Sequence, residues 1–95
     1  MQCFVEARPG EGVAVGFAVS SRQFNAVRRN RLRRLMREGF AREGPALASV
    51  LARNGQRASL VFLFRPVKTD VADRLRLEPV RKDMAAICSR IAARL

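Results

Sequence analysis

AVRRNRLRRLMREGF, residues 26–40, carries six arginines between positions 28 and 37 and no acidic residue before Glu38. Such a run suits a disordered tail, a localisation signal, a solvated helix face or a binding surface. The apolar residues inside it narrow the choice. Leu32, Leu35, Met36, Gly39 and Phe40 recur at i, i+3, i+4, i+7 and i+8, one face of an α-helix. Asn30, Arg33, Arg34 and Arg37 share that spacing on the opposite face. Arg31 lies at the flank, one turn before Leu35, and Glu38 is placed to pair with Arg34. Asn25 is the expected N-cap. The arginines are interleaved with a core stripe, so folding must array them on a surface of defined geometry.

Upstream, CFVEA at 3–7 reads as a short strand and RPGEG at 8–12 as a turn. VAVGFAVS at 13–20 is a continuous apolar run that suits a central strand, and the two strands together predict a hairpin. Gly16 inside the run marks a bulge or a close backbone approach. Downstream, EGP at 43–45 is expected to end or kink the arginine helix. ALASVLAR at 46–53 then forms a second, short helix stopped by Asn54-Gly55. ASLVFLF at 58–64 is the clearest buried strand, closed by Pro66, and Thr69 or Asp70 can cap a brief turn after it. A last helix spans about 78–94, with Val80, Met84, Ile87, Cys88, Ile91 and Leu95 on its apolar face and Pro79 in its first turn.

The order β-β-α-(α)-β-α, with a strand, a helix and another strand in sequence, favours a parallel pair joined by a crossover helix. The expected fold class is α+β, a two-layer α/β sandwich with one small mixed sheet and helices packed on it. Ninety-five residues suit one domain, 1–95, and no repeat or linker interrupts it.

The formal charge is +11, and 48% of the residues are apolar, which excludes global disorder. No apolar run approaches the ~20 residues that span a bilayer. No signal peptide is visible, and the expected location is the cytoplasm. The charge excess points to a polyanionic partner. Nearly all of it is arginine, whose planar fork suits phosphates and bases. Histidine is absent, and Cys3 and Cys88 lack metal-ligand spacing. They read as two small buried hydrophobes. The chain offers no constellation for covalent chemistry of its own, and no cofactor is expected on it.

A merely solvated face mixes signs, whereas residues 12–37 hold seven arginines and no acid. Crowding like charges costs self-repulsion that a polyanion relieves. A membrane-surface helix needs an exposed apolar face with bulky anchors, but this apolar face is committed to the sheet and the chain has no Trp. A helix-turn-helix reading of DNA is disfavoured by the flanking strands. Nucleic-acid binding is the reading these residues favour. Phe4 and Phe17 are aromatic candidates for base stacking, with a core role in their strands the more economical assignment.

The same stretch resembles the signature of the bacterial ribonuclease P protein component, roughly A-V-x-R-N-R, a hydrophobic residue, K-R-x, a hydrophobic residue, then R-E-x and an aromatic. Ala26, Val27, Arg29, Asn30, Arg31, Arg34, Arg37, Glu38 and Phe40 match it, and Arg33 stands where lysine is usual. GFAVS at 16–20 and LVFLFRP at 60–66 resemble the strands before and after the motif, and the closing amphipathic helix is also expected. The resemblance runs in order along nearly the whole chain. It is to a short form: the family opens with a helix before the first strand, and this sequence enters a strand almost at once. The family's basic pair after the second strand reads here Ser21-Arg22, and Phe24 and Asn25 replace a usual glycine and a frequently polar or basic residue.

The resemblance implies helices on one side of the sheet and a left-handed crossover, an arrangement shared with a domain of a small-subunit ribosomal protein. It implies that the chain is an accessory subunit of an endoribonuclease, in which the RNA subunit, with Mg²⁺, removes the 5′ leader of precursor tRNA. Its partners would be ribonuclease P RNA and precursor tRNA, with neither DNA nor membrane involved. Arg22, Arg29, Asn30, Arg31, Arg33, Arg34 and Arg37 would inherit RNA contacts, and Phe17 becomes a candidate leader contact if it faces an uncovered side of the sheet. The alternative is a diverged RNA- or ribosome-associated protein without ribonuclease P activity.

Overall fold

The computed structural model describes residues 1–19, 25–65 and 75–95. The expectations for Ser21-Arg22, Phe24, Pro66, Thr69 and Asp70 lie outside the described residues. The element order is β1 (Gln2–Pro9), β2 (Val13–Val19), α1 (Ala26–Arg53), β3 (Gln56–Phe64) and α2 (Leu77–Arg94).

The sheet order is β1-β3-β2, with β1 antiparallel and β2 parallel to β3. The fold is thus α+β with a mixed sheet, and α1 is the crossover between the parallel strands, as the element order predicts. The expected β1–β2 hairpin is corrected. β3 lies between the two strands, and the apolar run of β2 is an edge, not the centre. The turn explains how. Gly10 and Gly12 adopt φ values of 141° and 102°, open to glycine, and carry the chain across the end of β3. The Gly10 N–H donates to the Gly55 carbonyl, and the Ala58 N–H donates to the Gly12 carbonyl. β3 gains a ladder on each side, which a local hairpin would deny it. Gly16 makes no bulge: the register runs unbroken through the Gly16–Val61 pair.

Strand alternation separates two faces. Across the helix-covered face run the rows Cys3–Phe62–Phe17 and Val5–Leu60–Val15. Phe62 is fully buried and packs on Phe17 at 5.9 Å and on Phe40 of α1 at 5.5 Å, centroid to centroid. Leu32, Met36, Leu47 and Leu51 of α1 and Val80, Met84, Ile87 and Cys88 of α2 complete the core. The other face carries Phe4, Glu6, Ser59 and Val61, all exposed. Cys3 and Cys88 are both unpaired thiols. Burial, and then the neighbouring Cys88, push the Cys3 thiol up to about 11, so it is inert at neutral pH.

α1 is one continuous helix through Pro45, not two. A proline usually bars the preceding residue from helical geometry, because its ring meets that residue's Cβ. Here the preceding residue is Gly44, which has no Cβ. Continuity also keeps Leu47 and Leu51 in the core beside Met36. Gly44 has a second role: a Cβ built there would lie 2.7 Å from Phe40 Cε1. Gly44→Ala is therefore expected to destabilise. Alanine adds about 1 kcal/mol of helix propensity, but overpacking costs about 1–3 kcal/mol and the clash with the proline ring is added. The urea midpoint should fall; an unchanged or higher midpoint would show that the Phe40 ring yields freely.

α1 and α2 pack closely where Gly39 meets Met84 and Val80; a Cβ at Gly39 would stand 3.0 Å from the Met84 sulfur. Half-buried Arg81 of α2 clamps the pair, donating to Glu43 of α1 at 2.5 Å and to Glu78 at 2.5 and 3.1 Å. The Arg81 hydrogen bonds hold the Glu78 carboxyl below its ordinary range. α1 stops at Asn54-Gly55, the stop expected for a separate second helix, with Gly55 at φ 65° donating back to the Ala52 carbonyl.

Candidate nucleic-acid interface

Asn25 caps α1 as the sequence predicts: its side-chain oxygen accepts from the Arg28 N–H at 2.9 Å. The first turn contains no acid. The positive end of the helix dipole is thus left uncompensated by any first-turn carboxylate, and the arginines that follow add to it.

Asn30, Arg31, Arg33, Arg34 and Arg37 line one shallow, open concavity together with Val27. Asn30, Arg34 and Arg37 are exposed, Arg31 and Arg33 half-buried. Arg33 donates to the Asn30 side-chain oxygen at 3.4 Å, so the asparagine is ordered by its neighbour one turn on. Arg29 is half-buried and stands outside this concavity. Arg22 lies outside the described residues. Val27, a match to the family signature with no contact role assigned from sequence, is 75% exposed at the rim, as its position five residues before Leu32, off the core stripe, implies.

Several acidic side chains pair away from this face. Glu6 pairs with Arg8 on the open sheet face, and Glu43 and Glu78 pair with Arg81 between the helices. Among the described residues no ion pair joins Glu38 to Arg34, which corrects the expected i, i+4 bridge, and none involves Arg33 or Arg37. A bridge there would have neutralised the face at its centre. Instead, three guanidinium groups without a carboxylate partner project from two consecutive turns, about 5 Å apart along the axis. That spacing is comparable to the separation of phosphates along a nucleic-acid strand, and bidentate guanidinium donors suit phosphate oxygens.

Phe17 does not face an uncovered side of the sheet. Its ring lies on the helix side, stacked on Phe62 and edge-on to Phe40 at 6.2 Å. The aromatic on the open face is Phe4, 57% exposed, paired across the ladder with Val61, 43% exposed. Strand alternation fixes that Phe17 and Ala18 point oppositely but not which side the helices cover.

Among the described residues, no group of three or more His, Cys, Asp or Glu side chains is arranged to hold a metal ion, and no helix is long and apolar enough to cross a membrane. The family model described as Ribonuclease P matches residues 2–91. No curated protein and no solved structure matches the chain.

Proposed function

We propose, from the premise that this chain belongs to the ribonuclease P protein family, that it binds the catalytic RNA and precursor tRNA and promotes removal of the 5′ leader. The family itself ties the chain to ribonuclease P, to its RNA and to tRNA processing. The observation that carries the finer reading is the concavity on α1, where Asn30, Arg33, Arg34 and Arg37 converge without a carboxylate partner. In this reading the guanidinium groups replace counterions on crowded phosphates, which lets ribozyme and substrate approach. The Mg²⁺ that the cleavage uses belongs to the RNA in this proposal, because the donor set of the described residues does not fit it. The open sheet face, with Phe4 and Val61, is the proposed seat of the single-stranded leader.

Reconstitution tests this. Added to a bacterial ribonuclease P RNA transcript at low Mg²⁺, the protein is expected to raise the rate of leader removal. Its binding should show a slope of log K against log salt at least as steep as about −2, the contribution of three phosphate contacts. RNA binding with no stimulation of cleavage would support the diverged RNA-binding alternative, and a flat salt response would reject the electrostatic account.

A further inference from the structure

Arg31 sits between the two lives of α1. It belongs to the Arg-Asn-Arg core of the arginine stretch, yet it lies one, two and three i+4 steps before Leu35, Gly39 and Glu43. Gly39 and Glu43 touch α2, through Met84 and Arg81. Residues in an i+4 row form the ridge that one helix presents to another. Arg31 is half-buried, and its Nη2 donates to the Leu75 carbonyl at 2.5 Å, across 44 positions of sequence. Leu75 immediately precedes Arg76, the N-cap residue of α2, and Arg76 makes no side-chain capping bond. The same carbonyl accepts from Arg76 Nη1 at 3.4 Å, so the entry to α2 is held from the side by α1 as well as by its own arginine.

From this geometry we infer that Arg31 is a positioning residue: it fixes the N-terminal turns of α1 against the entry to α2 and so aims Asn30, Arg33, Arg34 and Arg37, rather than spending its charge on phosphate. This rests on the outward face being the RNA-binding one. A guanidinium already committed to a carbonyl loses that charged hydrogen bond if it turns outward. Two polar contacts then tie α1 to the α2 segment among the described residues, Arg31–Leu75 at its entry and Glu43–Arg81 further along. The first is the nearer to the RNA face.

The test compares Arg31→Ala, Arg31→Lys and Arg34→Ala for thermal midpoint, and for binding to a ribonuclease P RNA transcript across a salt series. Binding is measured at a temperature where circular dichroism shows every variant folded. Arg34→Ala should keep its midpoint and make the slope of log K against log salt shallower by about 0.7–0.9, one phosphate contact. Arg31→Ala should lower the midpoint and weaken binding by roughly tenfold, the scale of one charged hydrogen bond, with the slope of the wild type. Arg31→Lys, which keeps a donor able to reach the carbonyl, should recover part of both losses. A shallower slope with an unchanged midpoint for Arg31→Ala would overturn the inference and return Arg31 to the phosphate contacts. Full-strength binding by folded Arg31→Ala would overturn it too, leaving a structural role only. Should Arg31→Ala fail to fold, Arg31→Lys decides by the same two readouts. If Arg34→Ala leaves the slope untouched, the RNA-face reading fails instead, while the Arg31 midpoint still reports on its bond to Leu75.

Discussion

Phe62→Ala is expected to lower the thermal midpoint by more than about 12 °C and to leave little folded protein at 37 °C. Removing a buried phenylalanine costs about 3–5 kcal/mol, and each kcal/mol moves the midpoint of a domain this size by about 4–8 °C. Whole domains are stable by only about 5–15 kcal/mol. Phe62 merits the upper part of that range. It is fully buried, with 0% accessibility, and lies on the central strand of the sheet. Its ring touches both Phe17 and Phe40, and so joins β3 to the edge strand β2 and to α1. Truncation leaves a cavity where three elements meet, and neither of the two neighbouring rings can collapse into it without leaving its own strand or helix. Phe4→Ala is the control. It removes the same side chain from the open face, and a surface change of that kind should stay within about 0.5 kcal/mol. Circular dichroism melts of the two variants check both halves. Equal losses would mean that the two faces of the sheet are equally covered.

This contrast also shows what the sequence could and could not convey. Local periodicity and capping chemistry are written in the chain, so the arginine helix, its Asn25 cap, the Asn54-Gly55 stop and the closing helix were all legible. So was the division of α1 into a core stripe and a row of Asn30, Arg33, Arg34 and Arg37, because 3.6-residue geometry fixes both at once. Strand pairing is not local. Two apolar runs separated by glycines read as a hairpin, yet β3, which arrives only after the long helix, competes for both edges and wins them. The faces of Phe4 and Phe17 followed the same limit, since alternation gives relative and not absolute orientation. Pro45 misled for a different reason: the rule against helical proline presumes a Cβ on the preceding residue, and Gly44 lacks one. Arg31 is the subtlest case. Its position on the flank was visible, but its bond to Leu75 depends on where α2 begins in space.

The double variant Arg34→Ala/Arg37→Ala is expected to bind ribonuclease P RNA roughly 25- to 60-fold more weakly at 0.1 M salt while melting like the wild type. Each phosphate contact contributes about 0.7–0.9 to the slope of log K against log salt, the lower value for single strands and the higher for duplex. Two lost contacts therefore make the slope shallower by about 1.4–1.8, and that difference, accumulated over one decade below 1 M, gives the stated factor. Both side chains are exposed, and neither has an ion pair among the described residues, so truncating them removes no internal partner. Relieving like-charge repulsion between successive turns even favours a small gain in stability. That opposite movement of affinity and stability distinguishes a surface kept for a polyanion from one kept for the fold. A salt titration and a melt on the same preparation measure both. A lower midpoint with the wild-type slope would place these arginines among the residues that hold the structure, and the RNA face would have to be sought elsewhere, first on the open sheet around Phe4.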